Sequence, residues 1–401
     1  MTHSLPLGFQ YASAAAGIKS RAGARDVTLI VSDRPAAAAG VYTQNQVVAA
    51  PVVLCRGRTP MRDARAVVVN SGNANACTGV RGMQDSQRMC ELVAERLPSA
   101  SSVRPDQVLV MSTGVIGRFL PMEKIEQGIT AAAGKLAEGE QAFFDAADGI
   151  LTTDNGRKVT SRSMQTAGRS IRIAGMAKGA GMIGPNMATM LCCVVTDAPI
   201  DSEQAHRLLK YCADRSFNNI SVEGHTSTND TMLLLANGAA GGEPLSDLQE
   251  AEFAEHLDAM CIELAKQIPA DGEGATHLIE VDVRGAQSDA DARKIAHTVA
   301  SSNLVKSAVF GSDPNWGRIV SATGYSGVPI DVSRLELQLN GLLLFQCGEP
   351  VAFEAKAASK LIKDNHLTHI LLIVGNGPGT CRHWTSDLTI DYVRFNSEYT
   401  T

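Results

Sequence analysis

Short runs of β-branched and aliphatic residues recur along this chain, separated by stretches with the 3.6-residue periodicity of amphipathic helices. That alternation restricts the fold to α/β or α+β, with layered sheets flanked by helices. The runs VTLIVS (27–32), AVVVN (66–70), QVLVM (107–111), LCCVVTD (191–197) and LELQLN (335–340) have the length and composition of strands. In LIEVDVR (278–284), Ile279, Val281 and Val283 alternate with Glu280, Asp282 and Arg284, which predicts a strand with one buried face. Met89, Leu92, Val93 and Leu97 share one helical face, and Phe253, Leu257, Met260, Cys261 and Leu264 share another. Ser246 and Gln249 have the spacing of a capping box and place the start of the second helix near Asp247.

With 401 residues, 44% of them hydrophobic and 19% charged, the chain can bury a large core, as one large domain or as two to three smaller ones. The formal charge is −6 and no basic block is present, which argues against a nucleic-acid partner. No apolar run approaches the roughly 20 residues of a membrane span, and MTHSLPLGFQYAS has neither the basic nor the apolar part of a signal peptide, so a cytoplasmic location is expected. The nine cysteines include no Cys-x-x-Cys pair and read as reduced thiols; Cys192 and Cys193 read as small core residues on a strand. The nine histidines form no H-x-x-x-H or Cys/His cluster, so no metal site is expected.

The most informative break is chemical. KGAGMIGPNMATML (178–191) combines glycines, a proline and an asparagine and then turns into the strand-like MLCCVVTD, so a flexible loop meets a rigid strand at Ala188-Thr189. A threonine at such a junction can aim its hydroxyl at the preceding carbonyl, the geometry of an N→O acyl shift. If the ester hydrolyses, Thr189 becomes a new N-terminus. Its α-amine, with a pKa of about 7.7–8.0, can then take the proton of its own hydroxyl without any histidine. Spacing alone leaves a second reading open, a glycine-rich loop before a strand whose threonine has no chemical role.

The stretch 178–191 resembles the self-cleavage motif of the ornithine acetyltransferase family, the bifunctional glutamate N-acetyltransferases of arginine biosynthesis. Further similar blocks are VVVNSGNANACTG (67–79), STGVIG (112–117), LTTD (151–154), TSTNDTMLLLANG (226–238), DGEGAT (271–276), GSDPNWGRI (311–319) and DLTIDYVRFNSEYTT (387–401). Taken singly, such asparagine- and glycine-rich stretches mark turns. The resemblance implies a self-cleaving N-terminal-nucleophile fold, with residues 1–188 as an α chain and 189–401 as a β chain that together form one catalytic unit. It implies Thr189 as nucleophile and Thr113 with Gly114 as oxyanion hole; QVLVMSTG reads as a strand ending in a tight turn, where both could face a developing alkoxide. It implies substrate contacts from Thr152, Lys178, Thr189, Glu273, Asn396 and Thr401, with Thr153 as an alternative to Thr152. A lysine with a glutamate suits a zwitterionic amino acid. A functional chain end must be pinned, and Leu388, Ile390, Tyr392 and Val393 are expected to dock it as a final strand.

The implied reaction is ping-pong transfer of acetyl from N-acetylornithine to glutamate through acetyl-Thr189. No bound cofactor is implied, acetyl-CoA is admitted as a co-substrate, and the implied assembly is a heterotetramer of two α and two β chains. An amidohydrolase or aminopeptidase of the same fold is the alternative. A dinucleotide or phosphate site at GNGPGT (375–380) is disfavoured, because its spacing matches neither G-x-G-x-x-G nor the P-loop. His277 after DGEGAT and the stretch NGPGTCRHW (376–384) depart from the family pattern and leave the donor end of the pocket open.

Overall fold

The computed structural model describes residues 3–98, 102–166, 168–184 and 190–398. They form two compact units, one running to Asn218 and resuming over His225–Ile268, the other made of Asn219–Gly224 and residues 269–398. In the first unit the strands are β1 (Phe9–Ala14), β2 (Val27–Tyr42), β3 (Met61–Asn73), β4 (Val108–Val115), β5 (Lys158–Thr166), β6 (Arg169–Lys178), β7 (Leu191–Thr196) and, after the short β8 (Ile220–Ser221) of the other unit, β9 (Thr231–Ala236). Their order in the sheet is β4-β3-β2-β9-β7-β6-β5, with β1 paired to β2. Every residue of β7 and β9 is buried, because helices cover what these apolar runs cannot expose. Helix Asp247–Ala270 closes on β6 at Gly175, where an added Cβ would lie 2.7 Å from Leu264 Cδ1.

The expected strands of this unit all form, and Cys192 and Cys193 are core residues of β7. Met89, Leu92 and Val93 are buried on helix Gly79–Arg96, and Leu97 is buried just beyond it. The capping box is also present: the Ser246 N–H donates to Gln249 Oε1 at 3.0 Å, and the helix starts at Asp247.

The second unit holds β10 (Leu278–Ala286), β11 (Glu336–Leu339), β12 (Leu342–Gln346), β13 (Glu349–Pro350), β14 (Leu367–Ile373) and β15 (Gly379–Ser386), in the order β13-β12-β11-β14-β10-β15-β8. Strand β10 departs from its one-faced pattern, since Glu280 and Asp282 are buried along with Ile279, Val281 and Val283. It lies between β14 and β15, and its polar side chains are matched there. Trp384 Nε1 donates to Glu280 Oε2 at 2.7 Å, and Arg284 Nη2 donates to Asp282 Oδ2 at 2.6 Å. Burial alone would raise the Asp282 pKa, but His369 and Arg284 outweigh it and pull the carboxyl down to about 2.

The chain end corrects a second expectation. Ile390–Glu398 is a helix, not a strand, and Ile390 and Val393 are exposed. Thr389 Oγ1 accepts the Tyr392 N–H at 3.0 Å as an N-cap, and Tyr392 and Phe395, three apart, are its half-buried face. GNGPGT leads into β15, so no helix N-terminus follows it to receive a phosphate. No helix among the described residues is long and apolar enough to cross a membrane.

His383 on β15 is fully buried, with Nε2 3.1 Å from Ser221 Oγ. Burial, then the nearby His297, Lys306 and Arg293, holds its pKa well below the usual histidine range. Below pH about 6.5 the unfolded chain takes up a proton that folded His383 refuses, which costs about 1.4 kcal/mol per pH unit until the folded form titrates. The thermal midpoint should therefore fall between pH 6.5 and 5, and fall less steeply in His383→Gln. Equal slopes in calorimetry of the two proteins would show that His383 does not set the acid limit.

Candidate active site

Strands β3 and β4 run parallel, with Asn70 opposite Ser112, Ser71 opposite Thr113 and Gly72 opposite Gly114. The register then shifts, and Asn73 faces both Thr113 and Val115. The expected tight turn after Thr113 is thus a bulge inside a strand that continues to Val115. Gly114 has φ +131°, and an added Cβ would lie 2.3 Å from the Gly72 carbonyl carbon and 2.5 Å from Asn73 N. Only glycine permits that approach.

Buried amides hold the bulge. Ser112 Oγ donates to Asn70 Oδ1 at 2.6 Å, and Asn70 Nδ2 donates to the Asn73 carbonyl at 2.8 Å. Asn229 Nδ2 donates to the carbonyls of Ala74 (2.6 Å) and Ser112 (2.8 Å). Asn70 and Asn229, which lie in the blocks 67–79 and 226–238 that read as turn formers, are therefore braces for the backbone that carries Thr113.

Lys178 ends β6 and is buried. Its Nζ donates to Thr152 Oγ1 at 2.6 Å and to Thr113 Oγ1 at 3.4 Å, so three of the expected residues converge in the first unit. Beside them lies a residue to which sequence reasoning gave no role. The fully buried Asp154 carboxylate accepts Lys158 Nζ (2.7 Å) and the Gly179 N–H (2.6 Å) on Oδ1, and the Thr152 N–H (3.0 Å) on Oδ2. Lys178 Nζ is 4.0 Å from its Oδ2. Burial works to raise the Asp154 pKa, but the charges of Lys178 and Lys158 prevail and hold it below the usual carboxylate range.

Asp230 is the second residue missed. It is fully buried, Oδ1 accepts the Met190 N–H at 3.0 Å, and Oδ2 has no hydrogen-bond partner among the described residues. Burial pushes its pKa well above the usual carboxylate range, against the Met190 N–H, Thr43, Ser227 and the charge of Lys178, which all favour the ionised form. A signal for it existed: a lone aspartate heading the apolar run TMLLLA has to be paired or protonated.

In the second unit Asn396 Nδ2 donates to Glu273 Oε2 at 3.0 Å, and Thr389 Oγ1 donates to the Gly274 carbonyl at 2.7 Å, which ties the DGEGAT loop to the last helix. His277 is oriented there by Asp387, whose Oδ1 accepts its N–H at 3.2 Å. Ala188, Thr189 and Thr401 lie outside the described residues. A pocket of about 370 Å³ lined by Tyr42, Arg56, His206 and Lys210 contains none of the expected site residues.

Gly114→Ala must push β3 and β4 apart, and a loss of about 1–3 kcal/mol is expected. Denaturant unfolding checks it, and an unchanged midpoint would mean that β3 can yield.

The ArgJ family model matches residues 10–401. The arginine biosynthesis bifunctional protein ArgJ of Rhodopirellula baltica is 51% identical over 403 residues, covering 100% of this chain and 97% of its own length. The protein of the same name from Symbiobacterium thermophilum is 49% identical over 400 residues, covering 99% and 98%. The crystal structure of the arginine biosynthesis bifunctional protein argJ from Bacillus halodurans is 40% identical with a TM-score of 0.49, over 51% of this chain and 96% of that one. Matched along almost its entire length, the chain belongs to the ArgJ family.

Proposed function

We propose that this protein is a glutamate N-acetyltransferase of arginine biosynthesis that cleaves itself between Ala188 and Thr189 and carries acetyl groups on Thr189. The relatives at 51% and 49% identity bear the name of a bifunctional arginine-biosynthesis protein. The observation that carries the mechanistic reading is the convergence of Thr113, Thr152 and Lys178, with Lys178 directly opposite Leu191, two residues beyond Thr189.

In the first half-reaction the Thr189 hydroxyl attacks the acetyl carbonyl of N-acetylornithine while the Thr189 α-amine takes its proton. The alkoxide is stabilised by the Thr113 hydroxyl and the Gly114 N–H. The C–N bond breaks, the α-amine returns the proton to the departing ornithine nitrogen, and acetyl-Thr189 remains. The amine of glutamate then attacks the ester by the reverse route. Thr152 and Lys178 hold the substrate, and the resemblance adds Glu273, Asn396 and Thr401 to these contacts. The chains 1–188 and 189–401 form an α and a β chain, pairing to a heterotetramer in the cytoplasm. The resemblance admits acetyl-CoA as a second acetyl donor.

Intact-mass measurement should give two fragments, the second beginning at Thr189, and incubation with N-acetylornithine and glutamate should yield ornithine and N-acetylglutamate. Thr189→Ala should remain one chain and lose transfer. Full activity in that variant overturns the proposal, and free acetate without N-acetylglutamate assigns the site to hydrolysis instead.

A further inference from the structure

We propose that Asp154 is a positioning residue that acts through Lys178 to set the direction of the Thr113 hydroxyl. The inference rests on the acyl-transfer reading above. A threonine hydroxyl has one proton and two lone pairs, so Thr113 stabilises an alkoxide only while that proton points toward it. An ammonium group has three protons and no lone pair, so a charged Lys178 can only donate to Thr113 Oγ1 and Thr152 Oγ1. Each contact fills a lone pair and leaves the hydroxyl proton for another acceptor. A neutral amine at the same place has only two protons and gains a lone pair, which gives the Thr113 hydroxyl an acceptor there and lets its proton turn inward.

Lys178 is only 2% exposed, and burial favours the neutral form of an amine that lacks a nearby anion. Asp154 supplies that anion. Its Oδ2 lies 4.0 Å from Lys178 Nζ, beyond hydrogen-bond reach, so it acts by charge and does not compete with the threonines for the lysine's protons. Two backbone N–H groups and Lys158 fix the carboxylate, so it cannot swing toward Lys178. The competing account is purely structural: Asp154 neutralises Lys158, four residues away, and matters to folding alone.

A double-mutant cycle separates the two accounts. Asp154→Asn, Thr113→Val and the combined variant are assayed with N-acetylornithine and glutamate, with rates taken per mole of cleaved chain. Asp154→Asn should lower kcat about ten- to a hundredfold, by a larger factor than it changes KM. The combined variant should be no slower than Thr113→Val, because the aspartate has nothing left to act through. Should Asp154→Asn fail to fold, the same cycle is run with Asp154→Asn and Lys158→Met together, which removes the pair without changing the net charge. Wild-type kcat in that variant, or effects that multiply with Thr113→Val, overturns the inference while leaving acetyl-Thr189 intact. Transfer by Thr189→Ala overturns the acyl-transfer reading, and this inference with it.

Discussion

Strand β7 is hydrogen-bonded on both sides, antiparallel to β6 from Thr196 opposite Ile173 to Leu191 opposite Lys178, and parallel to β9 over its whole length. The chain on either side of residue 189 is therefore stitched into one sheet by bonds that do not depend on the peptide link between Ala188 and Thr189. Breaking that link removes none of the β6–β7 pairs. The core of the first unit draws Ala174 and Met176 from one side of the link and Leu191, Cys193, Leu233 and Leu235 from the other. The proposed cleavage requires this property, because the new terminus would have to stay where the uncut chain placed it.

Two of the buried carboxyl groups of the same unit, Asp154 and Asp230, are treated oppositely. Asp154 faces two lysines and two backbone N–H groups, and it stays ionised. Asp230 is equally buried, and there burial outweighs the Met190 N–H, Thr43, Ser227 and the charge of Lys178, so its pKa is raised. Burial penalises charge in both, and what decides between them is the number and sign of the neighbours. A charged group in the first case supports a buried ammonium. In the second, the carboxyl pins the start of β7 by accepting the Met190 N–H.

Periodicity revealed the fold where one element decides its own exposure. The helix faces of Met89 and Phe253, the capping box at Ser246 and the apolar strands followed from local pattern, because helix caps and buried stripes are local facts. It failed where tertiary neighbours decide. Glu280 and Asp282 look solvent-facing until Trp384 and Arg284 come from β15 and from within β10 to match them. At the chain end, alternation at Leu388, Ile390 and Tyr392 competed with a capping threonine, and the cap won. Thr113, Thr152 and Lys178 were legible through motif resemblance. Asp154 was not, since a carboxylate that serves another side chain has no signature apart from the contacts it makes.

The bulge at Gly114 accounts for two asparagines of the blocks 67–79 and 226–238, Asn70 and Asn229. A regular ladder would leave no room for a strand to present a hydroxyl and an N–H toward one point, and a loose turn would present them in many arrangements. Opening the ladder frees backbone carbonyls that must be satisfied in a buried place. The side chains of Asn70 and Asn229 donate to Asn73, Ala74 and Ser112, meeting that demand with groups that are themselves fixed in the core. In the proposed oxyanion site, donors held in this way would need no reorganisation when charge develops, and stabilisation of an oxyanion depends on that property more than on the strength of any one bond.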